Sequence, residues 1–410
     1  MKNIVIIGGG PAGLMAAITA AKKDSSSKVI LIEKNERPAR KLMITGKGRC
    51  NVTNNCDQDT LLMNVPRNPR FLYSAFSAFS PADVMNFFEA AGAPLKTERG
   101  NRVFPKSDKA VDIVDALVGT AKRNNVKLIN GTAKEILVND GKVSGVVLNN
   151  GDVINADSCL IATGGMSYPL TGSTGDGYAM AENVGHTVTD IKPSLVPLCC
   201  HEGFCSHLSG LSLKNVTFSL FEKGKKKPIY KEQGEMLFTH FGISGPMPLS
   251  SSAYIKNLGK KEYTAFIDLK PALTPEQLDA RILRDFEEQK NKDFANSLDK
   301  LLPKSLIPVI VKLSGIEGST KVNQISREQR RRLCEILKAL ELHITGFRPI
   351  EEAIVTSGGI SVKEINPATM ESKIVSGLFF AGEVIDVDAF TGGFNLQIAF
   401  STGYLAGNNM

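Results

Sequence analysis

The chain opens on four consecutive apolar residues, Ile4-Val5-Ile6-Ile7, and breaks off at Gly8-Gly9-Gly10-Pro11. An unalternating apolar run bounded by glycines predicts a strand covered on both faces, as in a parallel sheet. Leu14 to Lys23, rich in Ala, Leu and Met, predicts a helix, with Pro11 suited to its first turn. Val29-Ile30-Leu31-Ile32 predicts a second buried strand ending at Glu33. Similar runs recur at 127–136, 143–148, 157–162 and 377–383, and a last helix follows Gly393. From about Pro193 the pattern changes. Short runs such as Val216–Leu220 and Tyr263–Leu269 predict strands between turns, and Leu273–Leu340 has helical spacing, with Thr274-Pro275-Glu276 as an N-terminal cap. The expected fold is α/β: a Rossmann-like domain at 1–192 and 361–410, interrupted by a β-barrel-like domain at 193–272 and 339–360 that carries a helical subdomain at 273–338.

The opening unit carries chemistry. Gly8, Gly10 and Gly13 fit GxGxxG, with Pro11 and Ala12 between the last two. Gly8 permits a tight turn, Gly10 lets backbone approach a pyrophosphate, and Gly13 lets the helix pack close to the strand. The helix N-terminus offers N–H groups to the phosphates. Glu33, 20 residues after Gly13, is placed to accept hydrogen bonds from a ribose and disfavours a 2′-phosphate. These residues predict a dinucleotide site for FAD or NAD rather than NADP.

Three further segments point to FAD. The first runs from Lys34 through Arg40 and Lys41 to Gly46-Lys47-Gly48-Arg49-Cys50, a glycine-bearing cationic loop able to wrap a phosphate-bearing ligand. In the second, an apolar strand runs into Thr163-Gly164-Gly165, followed by Thr174-Gly175-Asp176-Gly177 and a helix. The third places Gly382 and Glu383 after a strand and opens the final helix near Asn395-Leu396-Gln397, whose dipole would favour negative charge on a reduced flavin. No second GxGxxG unit follows, so either NADH or NADPH acts as a transient reductant or another donor reduces the flavin.

In that order, these motifs resemble the two-dinucleotide-binding-domain flavoproteins. Within them the chain is similar to the BaiN/RdsA family, which includes bile-acid and ketosteroid double-bond reductases and an aminoacetone oxidase. The most specific match runs from Arg40 to Asn54, with Lys47 where glycine is commoner; Gly242-Ile243-Ser244-Gly245-Pro246 and Thr356-Ser357-Gly358-Gly359 also match. The resemblance implies non-covalent FAD held by the residues named above and by the backbone of Ala133 at the adenine.

Composition excludes other classes. The 410 residues are 42% hydrophobic and 22% charged, an ordinary globular balance. No apolar run approaches a membrane span. Seven cysteines without a CxxC pair suit reduced thiols in a cytoplasm. Cys199-Cys200-His201-Glu202 through Cys205 and His207 lack the spacing of a zinc site, so no metal is expected. The net charge of +7 permits anionic ligands, but Lys223–Lys227 and Arg330–Arg332 are short and read as solvated faces, so no nucleic-acid partner is expected. Reduction of an enone needs a proton donor, for which Tyr168 and His240 are the candidates. The expected activity is NAD(P)H-dependent reduction of a conjugated C=C bond in an apolar, steroid- or bile-acid-like ketone by hydride from flavin N5. The alternatives are an oxidase of a small amine or amino ketone and, in another class, a flavin-bound nucleic-acid-binding protein.

Overall fold

The computed structural model describes residues 1–410. It contains β1 (Asn3–Ile7), β2 (Lys28–Glu33), β3 (Lys127–Asn130), β4 (Ser158–Ile161) and β5 (Leu378–Phe380), which form one parallel sheet in the order β5-β4-β1-β2-β3. The register sets Ile6 beside Leu160 on one side and Leu31 on the other. Ile4 to Ile7, Val29 to Ile32 and all of β4 are buried, which explains their unalternating apolar sequence.

Helix α1 (Pro11–Lys23) joins β1 to β2 and buries nine successive residues, Ala12 to Ala20. A helix covered all round needs a close second neighbour. That neighbour is α2 (Phe394–Gly407), where Gly403 and Gly407 face α1 backbone. A side-chain carbon at Gly403 would stand 2.3 Å from the Ala12 carbonyl oxygen, and one at Gly407 2.4 Å from that of Ala16. An antiparallel sheet of Ala133–Asn139, Lys142–Leu148 and Val153–Asn155 fills the connection from β3 to β4.

The chain divides into two compact units, Met1–Ser194 with Ile350–Met410, and Leu195–Pro349. The second contains a closed six-stranded barrel, in spatial order Leu198–Cys200, Gly242–Ser244, Tyr230–Thr239, Ser212–Glu222, Tyr263–Asp268 and Leu340–Phe347. Its alternating interior residues, including Phe218, Leu220, Ala265 and Ile267, are fully buried. Helices Pro275–Glu288, Ile307–Ser314 and Arg327–Lys338 lie between the last two strands in sequence. The return to the first unit comes at 350, not near 360. Val355–Ser357 pairs antiparallel with Lys192–Ser194, and Ile360 N–H donates to the Val384 carbonyl, so residues 350–360 are held by the Rossmann-like unit.

Candidate functional site

The parallel strands β1, β4 and β5 end side by side, and a glycine-bearing turn expected to meet a ligand follows each of those ends. Gly8 adopts φ +105°, and a side chain there would meet the Ala162 carbonyl oxygen at 2.5 Å. Gly13 lies so close to β1 that a Cβ would fall 1.9 Å from the Gly8 carbonyl oxygen. Gly382, at φ +78°, approaches Ala12, and its N–H donates to Thr402 Oγ1 on α2. Gly10 differs: the space in front of it is open to beyond 4 Å. The first bond of α1 runs from Leu14 N–H to the Gly10 carbonyl, so the N–H groups of Ala12 and Gly13 are left for a ligand. This is the place, outside the carboxyl ends of a parallel sheet, where open α/β folds bind dinucleotides.

Glu33 ends β2 half-buried. One carboxylate oxygen accepts from Gly9 N–H at 2.8 Å; the other accepts from the Asn35 N–H at 2.8 Å and its side-chain amide at 2.7 Å. The carboxylate thus fixes the glycine turn, using three of about four lone-pair positions. Lys34 reaches across to Asp176 at 2.6 Å and to Thr174, tying the first cationic loop to the turn before residue 177. Exposed Arg40 donates to Asn35. Ala133 is buried at the start of its strand.

Lys41 makes the central polar contact. Its Nζ lies 2.7 Å from Glu383 Oε2 and 2.7 Å from Ser167 Oγ. Glu383 also accepts from Ser167 Oγ at 3.0 Å and from Thr356 N–H at 2.8 Å. Thr356 Oγ1 in turn accepts from the N–H groups of Met166 and Ser167. Gly165 is required there, because a Cβ would meet Thr356 Oγ1 at 2.3 Å. Ser167 and Thr356 were not singled out from sequence. Thr356 opens the Thr356-Ser357-Gly358-Gly359 motif, which gives no residue a role, and Ser167 carries no signal beyond its place between Gly165 and Tyr168.

Several site residues are occupied elsewhere. Arg49 pairs with Glu98 and Asp108 and lies 4.2 Å over the Phe104 ring, so its charge is answered within the protein. Lys47 is exposed at φ +59°, a conformation that glycine adopts most readily. Burial pushes the Cys50 thiol up to about 12, so its part in any site is through backbone. Asn395 clamps the preceding loop through Ala389 N–H and carbonyl. Gln397 is fully buried; its side chain bonds Thr53, Ser401 and the Phe79 carbonyl, and its N–H bonds Gly393. Gln397 therefore holds α2 in place, and the free N–H groups of that helix belong to Phe394, Asn395 and half-buried Leu396.

Tyr168 follows Ser167 directly and sits at φ +54°, uncommon for a bulky residue. Burial and the Glu352 carboxylate push its phenol above the usual tyrosine value. His240 lies exposed in the turn between Tyr230–Thr239 and Gly242–Ser244, in the barrel unit, with its ring edge-on to Phe241.

FAD fits these residues. Thr163 Oγ1 and Asn51 Oδ1 are buried without a hydrogen-bond partner, on two of the segments that converge here, as is the Tyr178 hydroxyl in the helix after Gly177. Buried polar atoms ordinarily find partners, and a ligand carrying hydroxyls, phosphates and a polar ring supplies them.

Over residues 2–409 the sequence matches the family described as HI0933-like protein Rossmann domain. The chain belongs to that family. This agrees with the BaiN/RdsA resemblance carried by the motif order. A relative from Clostridium scindens, 3-dehydro-bile acid delta(4,6)-reductase, is 31% identical over 409 residues, covering 99% of this chain and 98% of its own. The ribosomal RNA dihydrouridine synthase of Haemophilus influenzae is 32% identical over 405 residues, covering 98% of this chain and 96% of its own. The crystal structure of 3-ketosteroid delta1-dehydrogenase from Sterolibacterium denitrificans covers 100% of this chain and 99% of its own with a TM-score of 0.53 and 12% identity, a likeness of fold. The HI0933-like chain is thus an FAD-binding flavoprotein of the oxidoreductase type. None of its helices is long and apolar enough to cross a membrane.

Proposed function

We propose that the protein reduces a carbon–carbon double bond conjugated to a carbonyl, with NADH or NADPH as transient reductant. The observation that carries this reading is the place of Tyr168: its half-buried phenol comes one residue after the Ser167 that joins Lys41 and Glu383, and burial and the Glu352 carboxylate raise it above the ordinary tyrosine value. FAD bound here and reduced by NADH or NADPH would supply hydride to one carbon of the double bond. Gly10 and the N-terminus of α1 receive the pyrophosphate, Glu33 and Lys34 stand at the ribose end, and Lys41 and Glu383 hold the turn that follows β5. Tyr168 keeps the proton that the second carbon must receive. The seven cysteines, with no CxxC pair among them, suit a reducing, cytoplasmic compartment.

The substrate in this reading is an apolar ketone of steroid or bile-acid type. It is supported by the Clostridium scindens relative and by exposed apolar side chains on the site segments: Met43 and Ile44 beside Lys41, and Leu170 beside Tyr168. A second reading is favoured by the Haemophilus influenzae relative and by the lysine-rich end of the barrel. In it the double bond is that of a uracil base in RNA, which is also conjugated to a carbonyl. The test is anaerobic stopped-flow mixing of NADH-reduced protein with a 4-ene-3-ketone, with a uridine-containing RNA, and with oxygen. The first reading expects the ketone to restore the oxidised-flavin absorbance fastest, and the second expects the RNA to. Restoration by oxygen alone, with peroxide formed during substrate turnover, establishes the oxidase alternative instead.

A further inference from the structure

We propose that one end of the barrel in Leu195–Pro349 is a docking surface for RNA, with lysines meeting phosphates and Tyr254 stacking on a base. The proposal rests on the second reading above and names the surface that would hold such a substrate.

Two turns come together at this end. Ser212–Glu222 turns into Tyr230–Thr239 through Lys223, Lys225, Lys226 and Lys227, all exposed. The turn before Tyr263–Asp268 carries Lys256, Lys260 and Lys261, also exposed. Lys223 N–H donates to the Glu262 carbonyl at 2.9 Å, joining the two turns. The buried Tyr263 hydroxyl accepts from Lys256 N–H at 3.1 Å and donates to the Lys256 carbonyl at 2.7 Å. The lysines therefore stand on a fixed scaffold, not on a loose tail.

Their charge is only partly answered. Glu222 pairs with Lys225 and Lys261, and Glu262 with Lys223. Lys226, Lys227, Lys256 and Lys260 form no ion pair. Seven lysines face Glu222, Glu262 and, against the tyrosine rings, Glu232, which leaves this end of the barrel net positive. Like charges held together destabilise the folded state and attract a polyanion. Beside them the rings of Tyr230 and Tyr254 lie 5.4 Å apart at 48°, and Tyr254 is 36% exposed. Cations flanking an accessible aromatic ring match single-stranded nucleic acid, whose backbone needs charge and whose bases need a stacking face. A lipid surface would call for several exposed aliphatic or aromatic anchors. Besides Tyr254, the large apolar side chain exposed in this unit is Leu283, on the helical segment.

The test uses the FAD-loaded full chain and a short, single-stranded, uridine-containing RNA titrated over a range of salt. In the triple variant Lys226→Glu, Lys227→Glu, Lys260→Glu, the slope of log K against log salt should fall by about 2, from roughly 0.7 per lost contact on a single strand. Flavin content should be unchanged, and the melting temperature should not fall, since the substitutions relieve like-charge repulsion. Tyr254→Ala should weaken binding roughly 5- to 150-fold with the slope kept, and Tyr254→Phe should restore it. An unchanged slope in the triple variant, a Tyr254→Phe variant as weak as Tyr254→Ala, or the same losses on phosphatidylglycerol vesicles would each overturn the proposal. If wild-type protein reduces uridine in RNA while the triple variant binds undiminished, the surface is wrong and the uracil reading stands. If wild-type protein neither binds nor reduces RNA, that reading fails and the surface assignment with it.

Discussion

Lys41 and Glu383 are 342 residues apart in sequence and meet at 2.7 Å, each about one-fifth exposed. The pair joins the cationic loop after β2 to the turn after β5, and Ser167 and Thr356 bring two further segments onto the same carboxylate. Four separate stretches of chain therefore share one polar node at the carboxyl end of the sheet. Lys41→Met removes one partner and leaves Glu383 with two neutral donors. The expected cost is about 1–3 kcal/mol, together with faster loss of flavin during gel filtration. Glu383→Gln, which can still accept from Thr356 and Ser167, should cost less. Chemical denaturation of both variants with and without added FAD checks this, and equal costs would show that the charge pair is not what matters.

Gly10 and Gly13 are three residues apart and should respond oppositely to alanine. Gly10→Ala meets open space at an ordinary backbone angle, so flavin-free stability should stay within about 0.5 kcal/mol of wild type. Its methyl nevertheless enters the region assigned to the pyrophosphate, and FAD affinity should fall at least tenfold. Gly13→Ala drives a carbon into the Gly8 carbonyl and should cost about 1–3 kcal/mol or more before any ligand is added. Thermal melts of flavin-free protein and a flavin-fluorescence titration separate the two effects.

The glycine requirements were legible because they are local: tight turns and close backbone approaches declare themselves within a few residues. The buried strands were legible for the same reason. The Lys41–Glu383 node was not, since nothing in either segment names its partner. Gln397 illustrates the opposite difficulty. A polar residue in the first turn of a helix looks the same whether it faces a ligand or, as here, Thr53, Ser401 and the Phe79 carbonyl inside the core. Residues 350–360 were assigned to the barrel because strand propensity does not say which sheet a strand will join, and Val355–Ser357 pairs with Lys192–Ser194.

Asp388 offers a pH test. It is 3% exposed, accepts from Ser194 Oγ at 2.8 Å and Ser357 Oγ at 3.1 Å, and burial raises its carboxyl above the ordinary value despite those donors. An acid raised on folding binds its proton more tightly in the native state than in the unfolded one. Its contribution is therefore most favourable at low pH and declines as pH rises from near 4 through the native value. Asp388→Asn removes the titration, so wild type should lose stability relative to the variant over that rise. Parallel urea-midpoint curves from pH 4 to 7 would contradict the assignment.

Tyr168 provides the sharpest chemical test, because flavin reduction and substrate reduction need different groups. Electron transfer from NADH to the flavin requires no proton from a phenol. Completing the reduced carbon–carbon bond does. Tyr168→Phe keeps the ring, so the backbone strain at φ +54° and the packing should be retained. The rate of anaerobic flavin reduction should then match wild type, while reoxidation by the double-bond substrate should fall roughly 10²–10⁴-fold, the range of a lost general acid. Because burial and Glu352 push the phenol upward, the wild-type reoxidation rate should stay flat through neutral pH and decline only above the ordinary tyrosine range. If both half-reactions slow together in Tyr168→Phe, the residue shapes the flavin pocket and the proton comes from elsewhere. His240→Gln then becomes the variant to measure, with the same two half-reactions read separately.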